Sequence, residues 1–253
     1  MIRSLGQCQV TVAGTLRGLA DEAAQVQRLV EEGNPEVIVL AIGPREREET
    51  DTVLKERGEM PGAHGNRPGG KKLRHGPSGL PVATIERDFS EDETDVDDFG
   101  LFLSTSDLVF MKQLARWGEV EAPAPSYREA LRLGYVRGIP VVAADFDDEG
   151  YTDVFLANVN TFSLVRQGTR LKRLAKKKFK VDSAEAFALA WDRQVTRTRG
   201  YAEVERARER KVAGGIAQEA RGRARLLAIV EFERLEGVLR AVETPDAGPS
   251  AHT

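Results

Sequence analysis

Histidine and cysteine are scarce in this chain. Its 253 residues hold three histidines, His64, His75 and His252, and one cysteine, Cys8. A single thiol excludes an internal disulfide and any paired-cysteine metal site. Two of the histidines sit in a Gly/Pro-rich stretch and the third is the penultimate residue. A His-based zinc site, a Ser-His-Asp triad or a Cys-His pair is therefore hard to assemble within an ordered core. Cys8 opens an apolar run and reads as a packed thiol. Long apolar runs are also lacking. The longest, such as Val37 to Ile42, are far short of the roughly 20 residues that cross a bilayer. The first residues, MIRSLGQCQV, have no apolar signal-peptide core. The expectation is a cytoplasmic protein without a membrane span. An excess of positive charge is missing too, with 37 Lys+Arg against 40 Asp+Glu and a net charge of −3. That disfavours a globally basic nucleic-acid binder.

What is present is an alternation of strand-like and helix-like patterns. Cys8 to Ala13 is a short apolar run broken at Gly14. Leu19, Ala23, Val26 and Val30 recur at helical spacing, and Gly33-Asn34-Pro35 ends that helix. Val37 to Ile42 reads as a strand buried on both faces. The three form a β-α-β unit, which predicts parallel strands. Further along, Ser126 to Gly134 reads as a helix and Ile139 to Ala144 as a strand. Ser163 to Lys180, Ser183 to Arg193 and Glu203 to Ala220 read as helices. Leu226 to Val230 is another strand, followed by a closing helix around Leu235, Val238 and Leu239. Two segments break the pattern: the Gly/Pro-rich stretch 57–81, read as a mobile loop, and the acidic stretch 86–98, read as a solvated loop. Residues 244–253 read as a disordered tail. The expected fold is α/β, one domain over residues 1–243, with a central sheet of mainly parallel strands covered by helices. In such folds ligands bind at the carboxyl ends of the strands. Those tips are residues 14–17, 43–45, 145–148 and 231–234, and Gly14, Gly43, Asp145 and Glu231 are expected at one edge of the sheet.

Four blocks, in this order, resemble the TraB family, which includes pheromone-shutdown proteins and Tiki-type proteases. They are Val12 to Arg17; Pro35 to Ala41 with Pro44 and Arg45; Arg128-Glu129-Ala130 through Asp145-Phe146-Asp147; and Arg208 to Ile216 followed by Leu227 to Val230 and Leu235 to Val238. Together they span most of residues 8–240. The resemblance implies a TraB/Tiki-like fold and, in Tiki-type members, a metal-dependent peptidase site of His and Glu residues. This chain departs at those positions. The family's two histidines fall on Arg17 and Arg234, its acid after the second strand on Ala41, and the Glu of its third block on Ser126. The Arg between its two acids falls on Phe146, and its late glycines on Glu231 and Glu233. A guanidinium stays protonated and cannot replace an imidazole ligand.

The resemblance thus implies a scaffold without the peptidase residues, a pseudoenzyme. Arg17 and Arg234 would meet in one strand-end cleft with Arg45 and Arg208 nearby. Converging guanidiniums can hold a phosphate or carboxylate, so the expected partner is an anionic small molecule or another protein. An internal salt-bridge cluster, with Glu231 or Glu233 as partner, is the competing reading. No cofactor is expected. A rival reading is a metal-dependent hydrolase in which Asp145, Asp147 and Glu231 hold a hard divalent ion such as Mg2+. Asp145 to Asp153 also partly imitates a calcium loop, yet Leu156 stands where the closing bidentate Glu belongs. The stretch Ser163 to Lys180 carries eight basic residues and no acid. It offers a weak nucleic-acid surface, an anionic-membrane surface, or a face neutralised within the protein.

Overall fold

The computed structural model describes residues 1–60 and 104–244. Most of the 57–81 stretch, all of 86–98, His64, His75, and the tail beyond Thr244 lie outside the described residues.

Five strands form one sheet: β1 (Ile2–Leu5), β2 (Cys8–Thr15), β3 (Val37–Leu40), β4 (Val141–Ala143) and β5 (Arg225–Glu231). Their order is β1-β2-β5-β3-β4, with β1 antiparallel to β2 and the other four parallel. The fold is α/β with a mostly parallel sheet, as the β-α-β pattern predicts. Strand β1 was not anticipated. Its residues Ile2, Arg3, Ser4 and Leu5 are too mixed to read as a buried strand, because an edge strand buries little of its surface. Gly6, at φ 60°, turns the chain back so that Leu5 pairs with Cys8.

The unbroken apolar runs of β3 and β5 serve two cores at once. Side chains alternate across a strand, so Val37 and Val39 face one way while Ile38 and Leu40 face the other. Leu226, Ala228 and Val230 join the first set, and Leu227 and Ile229 the second. Helices α8 (Arg199–Glu219) and α9 (Leu235–Glu243) cover the first face with Val212, Ile216, Val238 and Val242. Helices α1 (Glu22–Gly33) and α4 (Pro125–Arg137) cover the second with Val26, Val30, Tyr127 and Leu131.

A third apolar cluster lies beyond the carboxyl ends of the strands. Helices α3 (Thr105–Leu114), α6 (Thr161–Lys176) and α7 (Ala184–Val195) contribute to it, with Phe110, Leu174, Phe187 and Trp191 packed on Leu16 and Leu19. The Phe110 and Phe187 rings stack with centroids 5.3 Å apart, and Phe179 meets Phe187 edge to face at 5.1 Å. This helical layer stands over the strand tips and leaves a cavity there.

The acidic run after β4 is helical, not a calcium-type loop. Asp147 accepts a hydrogen bond from the Gly150 amide at 2.8 Å and caps α5 (Asp148–Asn158). Asp148 and Glu149 then occupy the first turn, where the helix dipole favours negative charge. Helix α2 (Pro44–Glu56), which follows β3, was also not anticipated, because Glu and Arg dominate its sequence.

Because the four strands are parallel, Thr15, Leu40, Ala143 and Glu231 end on the same side. Gly43 and Phe146, which follow two of these ends, lie against each other: a Cβ at position 43 would come within 2.5 Å of the Phe146 carbonyl oxygen. Gly43→Ala is therefore expected to force two strand tips apart and cost about 1–3 kcal/mol, typical of overpacking. Urea denaturation reads this directly, and an unchanged midpoint would show that the tips separate freely.

Candidate functional site

Each strand tip delivers charged groups for a local reason. The β2 tip turns inward at Thr15, whose hydroxyl donates to Ser126 Oγ at 3.1 Å; both residues are buried. Arg17, two residues on, is paired with Asp107. Asp107 belongs to the capping box of α3: its carboxylate accepts from the Ser104 amide while its own amide donates to Ser104 Oγ. The Arg17 guanidinium is held well above its usual range, first by Asp107 and then, against the cost of burial, by Glu231, Glu46 and Glu233.

The β4 and β5 tips and α8 meet in a buried ion network. Asp145 is 5% exposed. Its Oδ2 accepts from Arg208 Nε at 2.9 Å, Arg208 Nη2 at 2.7 Å and Arg234 Nη1 at 3.2 Å. Its Oδ1 accepts from the Phe146 amide at 2.8 Å. Arg234, 4% exposed, sits on a single 3-10 turn, Phe232–Arg234, and also donates to Glu231 Oε2 at 3.0 Å. Glu205 approaches Arg208 at 3.4 Å and Arg234 at 3.6 Å. Burial alone would push Glu231 up; Arg234, Arg208 and Arg17 outweigh it and hold that carboxyl below its usual range.

A cavity of about 860 Å3 lies between this network and the α3/α6/α7 layer. Arg17, Arg208 and Arg234 line it, as the sequence reading placed them. Arg45 does not. It is exposed on α2 and pairs with Glu49 and Asp148, each at 2.8 Å. Among the described residues, carboxylates in the cavity wall outnumber guanidiniums eight to three. Each of the three arginines already has a carboxylate partner. The positive cleft expected for an anion is thus a neutralised network within an acidic wall.

Three of the wall carboxyls, Glu46, Asp192 and Glu233, have no ion-pair partner among the described residues. Burial, first of all, pushes Glu46 up to about 7, with Arg17 offsetting part of the effect. Burial and then the charge of Glu231 push Glu233 to about 7. Burial together with Glu205 and Glu209 pushes Asp192 to about 6. The wall between them is aromatic and apolar, with Trp191, Tyr151, Tyr201, Met111 and Leu171.

Of the three residues proposed for a metal ion, Asp145 and Glu231 meet at one nitrogen, Arg234 Nη1, and Asp147 stands apart as a helix cap. Among the described residues no group of three His, Cys, Asp or Glu side chains is placed to hold a metal ion.

Sequence reasoning missed Glu46, Asp107, Asp192 and Glu205. Two of these left a readable trace. Glu46 lies in the first turn of a helix opened by Gly43-Pro44, directly after a strand. Asp107 completes a Ser-x-x-Asp capping pattern. Nothing local marks Asp192 or Glu205, which face the cavity only because α7 and α8 cross the strand ends. No model of a known protein family matches the chain, and no curated protein matches it either.

Replacing Arg234 by Ala leaves the buried Glu231 without its guanidinium, while Asp145 keeps Arg208, with an expected loss of about 3–5 kcal/mol. Arg45→Ala removes only exposed pairs and is expected to leave the melting temperature unchanged. Equal effects from the two substitutions would contradict the network. The pH dependence has a defined sign. Glu46 and Glu233 start from an ordinary value of 4.5 and hold their protons to about 7 in the folded protein. Their stabilising contribution is complete below 4.5 and is lost as pH rises to about 7, with Asp192 adding the same sign up to about 6. The melting temperature should fall between about pH 5 and about pH 8. Glu46→Gln and Glu233→Gln should flatten that fall, and a wild-type curve rising through this range would overturn the assignment.

Proposed function

We propose that this chain is a TraB-like α/β protein that binds a small molecule in the strand-end cavity and has no metal-peptidase site. Support for the family reading comes from where its blocks fall. They coincide with β2, β3, α4 through β4, and α8 through α9. Positions 17, 126 and 234, where the family's His and Glu residues would stand, all lie around the strand ends, and here they are Arg, Ser and Arg. Binding at the carboxyl ends of parallel strands is the general rule for open α/β sheets.

The observation that carries the reading is the set of unpaired carboxyls, Glu46, Asp192 and Glu233, around an 860 Å3 space with aromatic walls. The three guanidiniums are neutralised by Asp107, Asp145, Glu205 and Glu231, so they leave no net positive charge for an anion. A ligand carrying protonated amines joined by apolar carbons matches such a wall. Ammonium groups would pair with the carboxyls, and the carbon chain would lie along Trp191, Tyr151 and Tyr201. The geometry therefore favours an organic cation over the anionic ligand suggested by the arginines alone.

Trp191 in the wall provides a reporter. Putrescine or spermidine is expected to raise the melting temperature and change tryptophan fluorescence at about pH 8, and to do so less at about pH 6, where the carboxyls hold protons. Asp192→Asn with Glu233→Gln should abolish the response. A response to phosphate or sulfate, with none to the amines, would return the site to anion binding. Silence to every class of small molecule would remove the ligand-binding reading itself.

A further inference from the structure

The opposite side of the α5–α6 pair carries a feature that the cavity does not use. Helix α5 has no fully buried residue. At its end and through the first turn of α6 stand four large apolar side chains open to water: Leu156 at 70% exposure, Phe162 at 73%, Leu164 at 52% and Val165 at 66%. Helix α6 is amphipathic in an unusual sense. Gln167, Leu171 and Leu174 face inward, and the first two line the cavity. At helical spacing, the stripe opposite them runs through Phe162, Val165 and Thr169 to Lys172 and Arg173. Its first half is apolar and its second half basic. The chain beyond the helix continues the charge with Lys177, Lys178 and Lys180, all exposed. Among the described residues, Arg166, Lys172, Arg173, Lys178 and Lys180 have no carboxylate within ion-pair distance. The protein as a whole is net negative, so this concentration of positive charge is local.

We propose that this face docks on the surface of an anionic phospholipid bilayer, with Phe162 and Val165 entering the headgroup boundary and Lys172, Arg173 and the following lysines held at lipid phosphates. The pairing of water-exposed apolar side chains with uncompensated basic ones on one helix stripe is the chemistry of an interfacial membrane contact. Other occupants fit less well. A second copy docked by the same face would set one basic run against another. Nucleic acid would use the lysines and leave Phe162 and Val165 without a role, since no row of aromatic rings accompanies them. The contact lies on the surface and crosses nothing: no helix among the described residues is long and apolar enough to span a membrane.

Vesicle co-sedimentation of the full chain tests the proposal. Vesicles of phosphatidylcholine with about 30% phosphatidylglycerol should bind the protein, and pure phosphatidylcholine should bind it far less. Binding should weaken as salt rises from about 50 to about 500 mM. Phe162→Asp with Val165→Asp should abolish it. Lys172→Glu with Arg173→Glu should weaken it by at least about tenfold. These positions are exposed, so both variants should keep the wild-type circular dichroism and melting temperature; should the apolar pair fail to fold, the charge pair decides alone. Three results would overturn the proposal. These are absence of binding to the anionic vesicles, tighter binding to a DNA or RNA duplex than to them, and a dimer in solution that Phe162→Asp dissolves.

Discussion

The carboxylate of Asp145 is the point on which the carboxyl side of this sheet depends. It stands at the end of the edge strand β4, yet it holds a guanidinium from α8 and another from the turn after β5. Those contacts join the tips of two strands that β3 separates in the sheet, so one buried group ties β4, β5 and α8 together. Two arginines beside one carboxylate would leave excess positive charge among buried groups. Glu231 and Glu205 supply the balance, and that is why the network contains both signs.

The balance shapes the cavity above it. With Arg208 and Arg234 absorbed by Asp145, Glu205 and Glu231, and Arg17 by Asp107, the cavity presents mainly the carboxyls that remain. Glu46, Asp192 and Glu233 lie where burial disfavours ionised groups, and the arginines nearby offset only part of that cost. They hold protons until about pH 6 to 7 or until something positive enters. The same arginines that suggest anion binding when read along the chain thus produce an acidic site once folded. Helix α6 stands between this cavity and the outer apolar and basic stripe, contributing Gln167 and Leu171 to one and Phe162 and Lys172 to the other.

Much of the architecture was legible in the order of residues. Val37 to Leu40 and Leu226 to Val230 are unbroken apolar runs, which only strands covered on both faces require. Strand β1 and helix α2 escaped because an edge strand and an exposed helix bury too little to leave an apolar pattern. The four strand tips were correctly placed together, and Arg17, Arg208 and Arg234 were correctly placed around one space. Arg45 was not. Its neighbours in sequence are those of a strand tip, but α2 begins at Pro44 and carries its side chain to the surface. The run from Asp145 to Asp153 looked like one acidic loop. It divides at Phe146 into a buried ion-network member and the start of a helix.

The sequence by itself determined the four parallel strands, because hydrophobic burial acts over a few neighbouring residues and leaves a local record. It determined which side of the sheet carries the site, because parallel strands must end together. With three histidines and one cysteine, composition also makes a histidine or cysteine metal centre hard to assemble. Tertiary structure alone decided the sign of the site. The charge that an arginine presents depends on which carboxylate reaches it; Asp107 reaches Arg17 across 90 positions of chain, and Asp145 reaches Arg234 and Arg208 across 89 and 63. Coulomb energy in a buried space is set by distances of a few ångströms, and no local pattern in the chain records distances between segments so far apart.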